Sequence, residues 1–256
     1  MNSRVIVITG ASAGIGAALA AVLGSRGHRL VLAARRGPEL QRAAAAAGAD
    51  ARAVVTDVRR RRDVERLRDA ALEAFGRVDV WVNNAGRGIG RRVLELSDED
   101  IDEMMAVNVK SALYGMQAIL PHFMERGDGH IINVSSFLGR VPLVAFRSAY
   151  SAAKSALNVL TANLRMELRA THPQIHVSLV MPGVVATDFA RNALGGPPSP
   201  PAGGRPPPSQ TAEEVALAIA GLIDQPQAEI YTNPAQAEIA RRYFQDVAAF
   251  EAAPRP

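Results

Sequence analysis

"RVIVITGASAGIGAALAAVLGSRGHRLVLAA", residues 4–34, decides how the rest of the chain is read. Residues 4–9 read as a strand whose centre, 5–8, is continuously apolar with no polar alternation, the pattern of a strand buried on both faces. Gly10, Gly14 and Gly16 follow, then a helical pattern, then a second apolar run at 29–34. Strand, helix and strand in so short a span predict a βαβ unit, which makes its two strands parallel.

The alternation continues outward from there. "PELQRAAAAAG" reads as a helix closed by glycine, 51–56 as a strand, and "DVERLRDAALEAFG" as a helix with Leu67, Ala71 and Phe75 on one face. Strands follow at 78–84, 130–136, 176–182 and 229–232, with helical patterns near 98–107, 109–126, 149–170 and 211–223. The expected fold is α/β: a Rossmann-type doubly wound parallel sheet of about seven strands with helices on both faces, in a single domain 1–256. Ligands of such sheets sit beyond the carboxyl ends of the strands. "GGPPSPPAGGRPPPS" (195–209) cannot be a helix or inner strand and reads as a flexible surface loop or a lid over the substrate. Residues 233–256 read as an amphipathic C-terminal helix and a tail.

Composition narrows the function. The 256 residues are 48% hydrophobic and 21% charged, with no cysteine, so disulfides and thiolate metal sites are excluded and no metal is expected. The pI is near 9.9, yet the net charge is only +4, weak support for a nucleic-acid partner, and none is expected. No apolar run spans a bilayer and the N-terminus lacks a leader, so the expectation is a cytoplasmic protein with no membrane partner.

"VITGASAGIGAALA" (7–20) places its glycines between a strand and a helix, where they permit a tight turn and close backbone approach. The helix start then offers free N–H groups and a positive dipole end to a phosphate. At the end of the second strand, where an acid would bind the ribose of NAD, the chain has Arg35 and Arg36 and no acid before Glu39. An arginine pairs with a 2′-phosphate that an acid would repel, so NADP(H) is expected over NAD(H). The run Arg59 to Arg62 reads as a solvated helix start, or as a minor aid in steering the cofactor phosphate.

Only two lysines occur, Lys110 and Lys154, and Lys154 stands four residues after Tyr150 on one helix face. Bringing a phenol from about 10 to near 7 needs roughly 4 kcal/mol, and an ammonium about 5 Å away supplies roughly 3 kcal/mol at an effective dielectric of about 20. The pair is a candidate general acid/base. Ser135 and Ser136 end the strand before it, where a hydroxyl can polarise a carbonyl, and Asn108 interrupts a helical pattern, where it could anchor a water.

Taken together these residues resemble the short-chain dehydrogenase/reductase family over nearly the whole chain. "TGASAGIG" looks like its cofactor loop, with Gly10, Ser12, Gly14, Ile15 and Gly16; Asp57 and Val58 match its adenine contact; "NNAG" (83–86), with Asn84, matches the motif beside the cofactor. Asn108, Ser136, Tyr150 and Lys154 match its catalytic tetrad in order, and "PGVVAT", with Pro182, Gly183, Val185 and Thr187, matches the turn that holds the nicotinamide carboxamide. The resemblance implies that Tyr150 exchanges the substrate proton, Ser136 orients the carbonyl, Lys154 lowers the phenol pKa and binds the ribose, and Asn108 holds a relay water. The serine-to-tyrosine spacing is one residue longer than the family's usual one, which keeps both Ser135 and Ser136 in play.

The expected activity is an NADP(H)-dependent oxidoreductase interconverting a ketone or aldehyde with an alcohol on a small-molecule substrate. The expected pocket walls are Phe137, Leu138, Val141, Leu143, the residues after Gly86, and the loop from Phe189 to Ser209. These suit an apolar substrate, with Arg87, Arg91 and Arg191 as the basic side chains within reach. The alternatives are a non-catalytic NADP(H)-binding sensor or scaffold of the same fold, and an epimerase or dehydratase, which usually carries a larger substrate domain. The resemblance also implies a homodimer or homotetramer.

Overall fold

The computed structural model describes residues 3–196 and 209–253. Strands β1 (Val5–Thr9), β2 (Arg29–Ala34), β3 (Ala51–Val55), β4 (Val80–Asn83), β5 (Gly129–Val134), β6 (Ile175–Met181) and β7 (Glu229–Tyr231) form one sheet. Its order is β3-β2-β1-β4-β5-β6-β7, and every neighbouring pair is parallel. The helices are α1 (Gly14–Ser25), α2 (Gly37–Ala47), α3 (Arg61–Phe75), α4 (Asp98–Met105), α5 (Ser111–Arg126), α6 (Ser148–Arg169), α7 (Ala212–Asp224), α8 (Ala235–Gln245) and α9 (Val247–Ala252).

The period-two geometry of a strand explains the apolar runs. Ile6 and Ile8 of β1 face one side with Leu19 and Leu23 of α1 and Val215 and Ile219 of α7. Val5 and Val7 face the other side with Leu67 of α3, Ile119 and Phe123 of α5, and Leu168 of α6. Both faces are covered, so every residue of β1 is buried. At the β3 edge the cover thins, and Val55 is 63% exposed.

The chain winds from β1 out to β3, then crosses back to lay β4 on the other side of β1. A crevice opens at that reversal, beyond the carboxyl ends of β1 and β4. A chain of buried amides stiffens the sheet beside it. Trp81 Nε1 donates to Asn83 Oδ1 (2.8 Å), Asn83 Nδ2 to Asn133 Oδ1 (2.8 Å), and Asn133 Nδ2 to Thr161 Oγ1 (2.9 Å). Thr161 lies on α6, so the chain fixes the rotation of the helix that carries Tyr150.

Two regions differ from the sequence expectation. The helical patterns near 98–107 and 109–126 form a continuous run in which a π turn, Ala106–Lys110, joins α4 to α5. Such turns recur at functional sites, and Asn108 sits in this one. The C-terminal segment is two helices, broken where Asp246 goes extended and its side chain caps Ala249 N (2.9 Å). Most of the proline-rich loop expected at 195–209 lies outside the described residues.

Candidate active site

The crevice is a cleft of about 690 Å³. Its walls bring together Gly10, Ser12, Gly14, Ile15, Arg35, Asp57, Val58, Asn84, Ser136, Tyr150, Lys154, Pro182, Gly183, Val185 and Thr187. Of the site residues expected from sequence, Gly16 and Asn108 stand behind the walls.

The glycine loop is a cradle in which side chains would collide. Gly10 has φ +68°, and a Cβ there would lie 2.7 Å from Ala85 Cα. A Cβ on Gly16 would lie 2.5 Å from Gly10 O and 2.6 Å from Asn84 Nδ2, so Gly16 serves the packing of α1 against the loop. The "NNAG" segment is the loop's brace. Asn84 Nδ2 donates to Thr9 O (2.9 Å) and Gly10 O (3.3 Å), while Asn84 N and Ala85 N donate to Thr9 Oγ1 (3.0 and 3.1 Å). Ala13 precedes α1 in extended conformation with no side-chain cap, which leaves the first-turn amides to an anion. The residues present therefore fit a dinucleotide diphosphate.

At the other end Tyr150 and Lys154 are buried side by side, with Lys154 Nζ 5.8 Å from the centre of the phenol ring. Ser136 hydrogen-bonds the Tyr150 hydroxyl. Its Oγ also accepts from Leu138 N (3.2 Å). Ser135 faces away from this exchange: its Oγ donates to Asn158 Oδ1 (2.5 Å) and lies 3.3 Å from Lys154 O. Asn158 Nδ2 and Ser155 Oγ donate to Gly139 O (3.0 and 2.7 Å) and hold α6 to the turn after β5. Both serines line the cleft and differ in their partners, Ser136 taking Leu138 N and Ser135 reaching Asn158.

The expected acidification of the phenol is not what this arrangement produces. Burial pushes Tyr150 up to about 12, against the smaller opposing effects of the Ser136 hydrogen bond and the Arg147 charge. Burial likewise pushes Lys154 down to about 7. The reason is desolvation: both side chains are largely buried in the cleft wall, and each charged form is disfavoured. Lys154 Nζ donates to Val134 O (2.9 Å) and has no carboxylate partner among the described residues. The Asn108 side chain is bonded to the protein on both its atoms. Its Nδ2 donates to Arg87 O (3.0 Å) and Met104 O (3.1 Å), and its Oδ1 accepts from Arg87 N (3.2 Å). These bonds shape the segment after β4. A methyl on Gly86 would meet both Asn108 Oδ1 (3.0 Å) and Lys154 Nζ (3.5 Å), so Asn108 lies close behind the lysine.

The rim carries the charges. Arg59 binds Asp57 (2.7 Å) and Glu103 (3.3 Å), and Glu103 also takes Arg87 (3.3 Å). The Arg59 hydrogen bond holds the Asp57 carboxyl below the usual carboxylate range. Arg59 is thus a clamp on Asp57 and Glu103 and not a solvated helix start. Arg36 Nη2 donates to Ser12 Oγ (3.1 Å) across the mouth of the loop. Arg35 makes no ion pair among the described residues.

The expected pocket walls need correction. Leu138 lines the cleft, but Phe137, Val141 and Leu143 pack with Tyr231, Ile239, Ala240, Tyr243 and Phe250 under the C-terminal helices. The strand-end turn directs alternate side chains in opposite directions, which the local sequence does not reveal. Phe189 takes the expected wall position, its ring tilted edge-on to Tyr150 at 5.5 Å. Arg147, which sequence reasoning passed over, also lines the cleft. Its signal was its place three residues before the tyrosine, on the same helix face.

A sheet wound in this order, with its cleft at the reversal point and a phenol at one end, defines a doubly wound α/β protein built around a strand-end ligand site. A family model of the short chain dehydrogenases matches residues 4–195, and the chain belongs to that family. An uncharacterized oxidoreductase of Staphylococcus aureus is 35% identical over 188 residues, which are 73% of this chain and 80% of that protein. The solved structure of a short chain dehydrogenase/reductase from Burkholderia phymatum in complex with NAD superposes with a TM-score of 0.88 at 30% identity, covering 100% of this chain and 98% of that one. A short chain dehydrogenase from Burkholderia cenocepacia in complex with NADP gives 0.82 at 29% identity, with 99% of each chain covered.

Proposed function

We propose that this protein is an NADP(H)-dependent oxidoreductase that interconverts a ketone or aldehyde with its alcohol, with Tyr150 as the proton donor. The observation that carries this reading is the convergence of Tyr150, Ser136 and Lys154 at one end of a cleft whose other end is the glycine cradle. A nicotinamide dinucleotide, when bound, supplies the hydride.

The chain's own residues do the rest. The first turn of α1 takes the diphosphate, Asp57 and Val58 flank the adenine, and Arg35 and Arg36 meet a 2′-phosphate through charge-assisted hydrogen bonds. Pro182, Gly183, Val185 and Thr187 close over the nicotinamide end, and Lys154 Nζ holds its ribose. Ser136 Oγ orients the substrate carbonyl oxygen toward Tyr150. The Tyr150 hydroxyl would give its proton to that oxygen. With its pKa pushed up to about 12, the Tyr150 phenol is protonated at neutral pH and has a proton to give. Among the described residues no helix is long and apolar enough to cross a membrane.

The test is oxidation of NADPH and NADH in parallel over a panel of small ketones and aldehydes, with wild type and Tyr150→Phe. Turnover should favour NADPH and fall roughly 10²–10⁴-fold in the variant, with NADPH binding retained. Equal efficiency with both cofactors would refute the NADP assignment. Full activity of Tyr150→Phe would refute the proton donor.

A further inference from the structure

We infer that Arg147 is the receptor for a carboxylate on the substrate, so that the enzyme acts on short oxo acids and the corresponding hydroxy acids. This rests on the oxidoreductase reading above and names its substrate class.

The three basic side chains within reach by sequence are all occupied. Arg87 is paired with Glu103, Arg91 with Asp100 and Arg191 with Asp188. Arg147 is different. It is partly buried, lines the cleft, and has no carboxylate partner among the described residues. Its one side-chain hydrogen bond among the described residues runs from Nη1 to Ile89 O (3.0 Å). Phe146 packs against it at 5.6 Å. The guanidinium stands where the substrate would sit: a Cβ on Gly88 would meet Arg147 Nη1 at 2.8 Å and Phe189 Cε1 at 2.9 Å, and the Phe189 ring packs on Tyr150.

Its position also concentrates positive potential. Arg147 is the N-cap residue of the 22-residue helix α6, whose first turn holds no acid. A cation at a helix N-terminus opposes the macrodipole. Among the described residues no carboxylate pairs with it, and the buried amine of Lys154, one turn beyond Tyr150, has no acid of its own either. Burial disfavours the charged form of Arg147, with the nearby Tyr150 opposing that effect. A partly buried guanidinium beside the phenol with no carboxylate on it is complete once an anion binds.

The anion is a carboxylate. One Nη is committed to Ile89 O, which leaves a single planar fork of donors. A monoanionic planar acceptor matches that fork in shape and charge. A phosphate, at about −1.5 to −2, would call for more than one guanidinium.

The experiment compares acids with their methyl esters: acetoacetate against methyl acetoacetate, and 2-oxobutanoate against its ester, with NADPH. Wild type should prefer the acid. In Arg147→Gln the acid-to-ester ratio of kcat/KM should fall roughly 30- to 150-fold, the loss expected for one desolvated charged partner, carried mainly by KM. Arg147→Lys keeps the charge without the fork and should lie between; it carries the test if the glutamine variant does not fold. Oxamate binding, followed by calorimetry with and without NADPH, separates the two readings. Ester turnover with an unmoved ratio, or a wild-type preference for the ester, overturns the carboxylate receptor and leaves the oxidoreductase standing. No turnover of any carbonyl, with oxamate bound by wild type and lost in Arg147→Gln, overturns the oxidoreductase and keeps the anion site. Neither turnover nor Arg147-dependent binding overturns both.

Discussion

Lys154→Met removes the buried amine beside Tyr150, and the pH dependence of its effect on stability reports where that amine titrates. In the unfolded chain a lysine titrates near 10.4; in the fold, burial pushes Lys154 down to about 7. Between those values the unfolded state binds more protons than the folded one, so wild-type stability rises with pH across that window. Each pH unit within it is worth about 1.4 kcal/mol. With the folded-state titration half complete near pH 7, the net gain from pH 7 to 9 is about 2 kcal/mol. Tyr150, pushed up to about 12, contributes the opposite slope, and only above about pH 10. Urea unfolding at pH 7, 8 and 9 should therefore show wild type gaining about 2 kcal/mol relative to Lys154→Met, since the two share every other titration. Carbon-13 lysine spectra give the same quantity directly, because the chain has two lysines and Lys110→Arg identifies the remaining signal. A stability difference that stays flat from pH 7 to 9, together with a Lys154 signal that does not titrate below pH 9, would show a charged amine in the fold and refute burial as the dominant cause.

The two serines should separate cleanly. Ser136→Ala should lower kcat roughly 10²–10³-fold at nearly unchanged stability, whereas Ser135→Ala strands Asn158 and should lower stability by about 1–3 kcal/mol with a smaller effect on turnover; kinetics and melting on both variants decide, and the reverse pattern would exchange their roles. The double substitution Arg35→Ala with Arg36→Ala should lower kcat/KM for NADPH roughly 10- to 100-fold and leave that for NADH within about threefold. An equal loss with both cofactors would show that the arginines do not read the 2′-phosphate. Gly10→Ala should cost about 2–4 kcal/mol in urea unfolding, more than Gly27→Ala, because Gly27 shares a positive φ of 77° but meets nothing within 4 Å. Equal costs would mean that the backbone conformation alone, and not the contact with Ala85, makes glycine necessary at position 10.

What the sequence made legible was whatever depends on local periodicity. The five-residue strand β1 and the six-residue β2 fall inside 4–9 and 29–34, because the apolar centre of a strand buried on both faces stands out from polar ends such as Thr9 and Arg29. The site residues were legible where function demands an unusual local choice, as at Gly10 with its positive φ and at Tyr150 and Lys154 one helical turn apart. Long-range properties were not legible. The inward or outward fate of Phe137 and Leu138 is set by packing under α8 and α9, about a hundred residues later in the chain. The pKa directions of Tyr150 and Lys154 follow from water exclusion by the whole fold, and spacing alone predicted the opposite sign for the phenol. The two serines look alike in "INVSS" and differ only in that Asn158, reached through α6, takes one of them.

Charge shows the same division between composition and placement. A net charge of +4 over 256 residues says little about a ligand. Five arginines line the cleft: Arg35, Arg36, Arg59, Arg87 and Arg147. Arg59 and Arg87 are neutralised through Asp57 and Glu103, and this clamp joins the loop after β3 to α4. Arg35, Arg36 and Arg147 have no carboxylate on them among the described residues. They sit at opposite ends of the cleft, two at the mouth of the glycine cradle and one beside the phenol. Arg35 and Arg36 are exposed and keep their solvation, whereas the partly buried Arg147 gives some of it up with no anion to replace it. The proposed function sets a phosphate near Ser12, and the proposed receptor sets a carboxylate near Tyr150. Restoring local neutrality by Gly88→Asp beside Arg147 should therefore abolish acid turnover more completely than ester turnover.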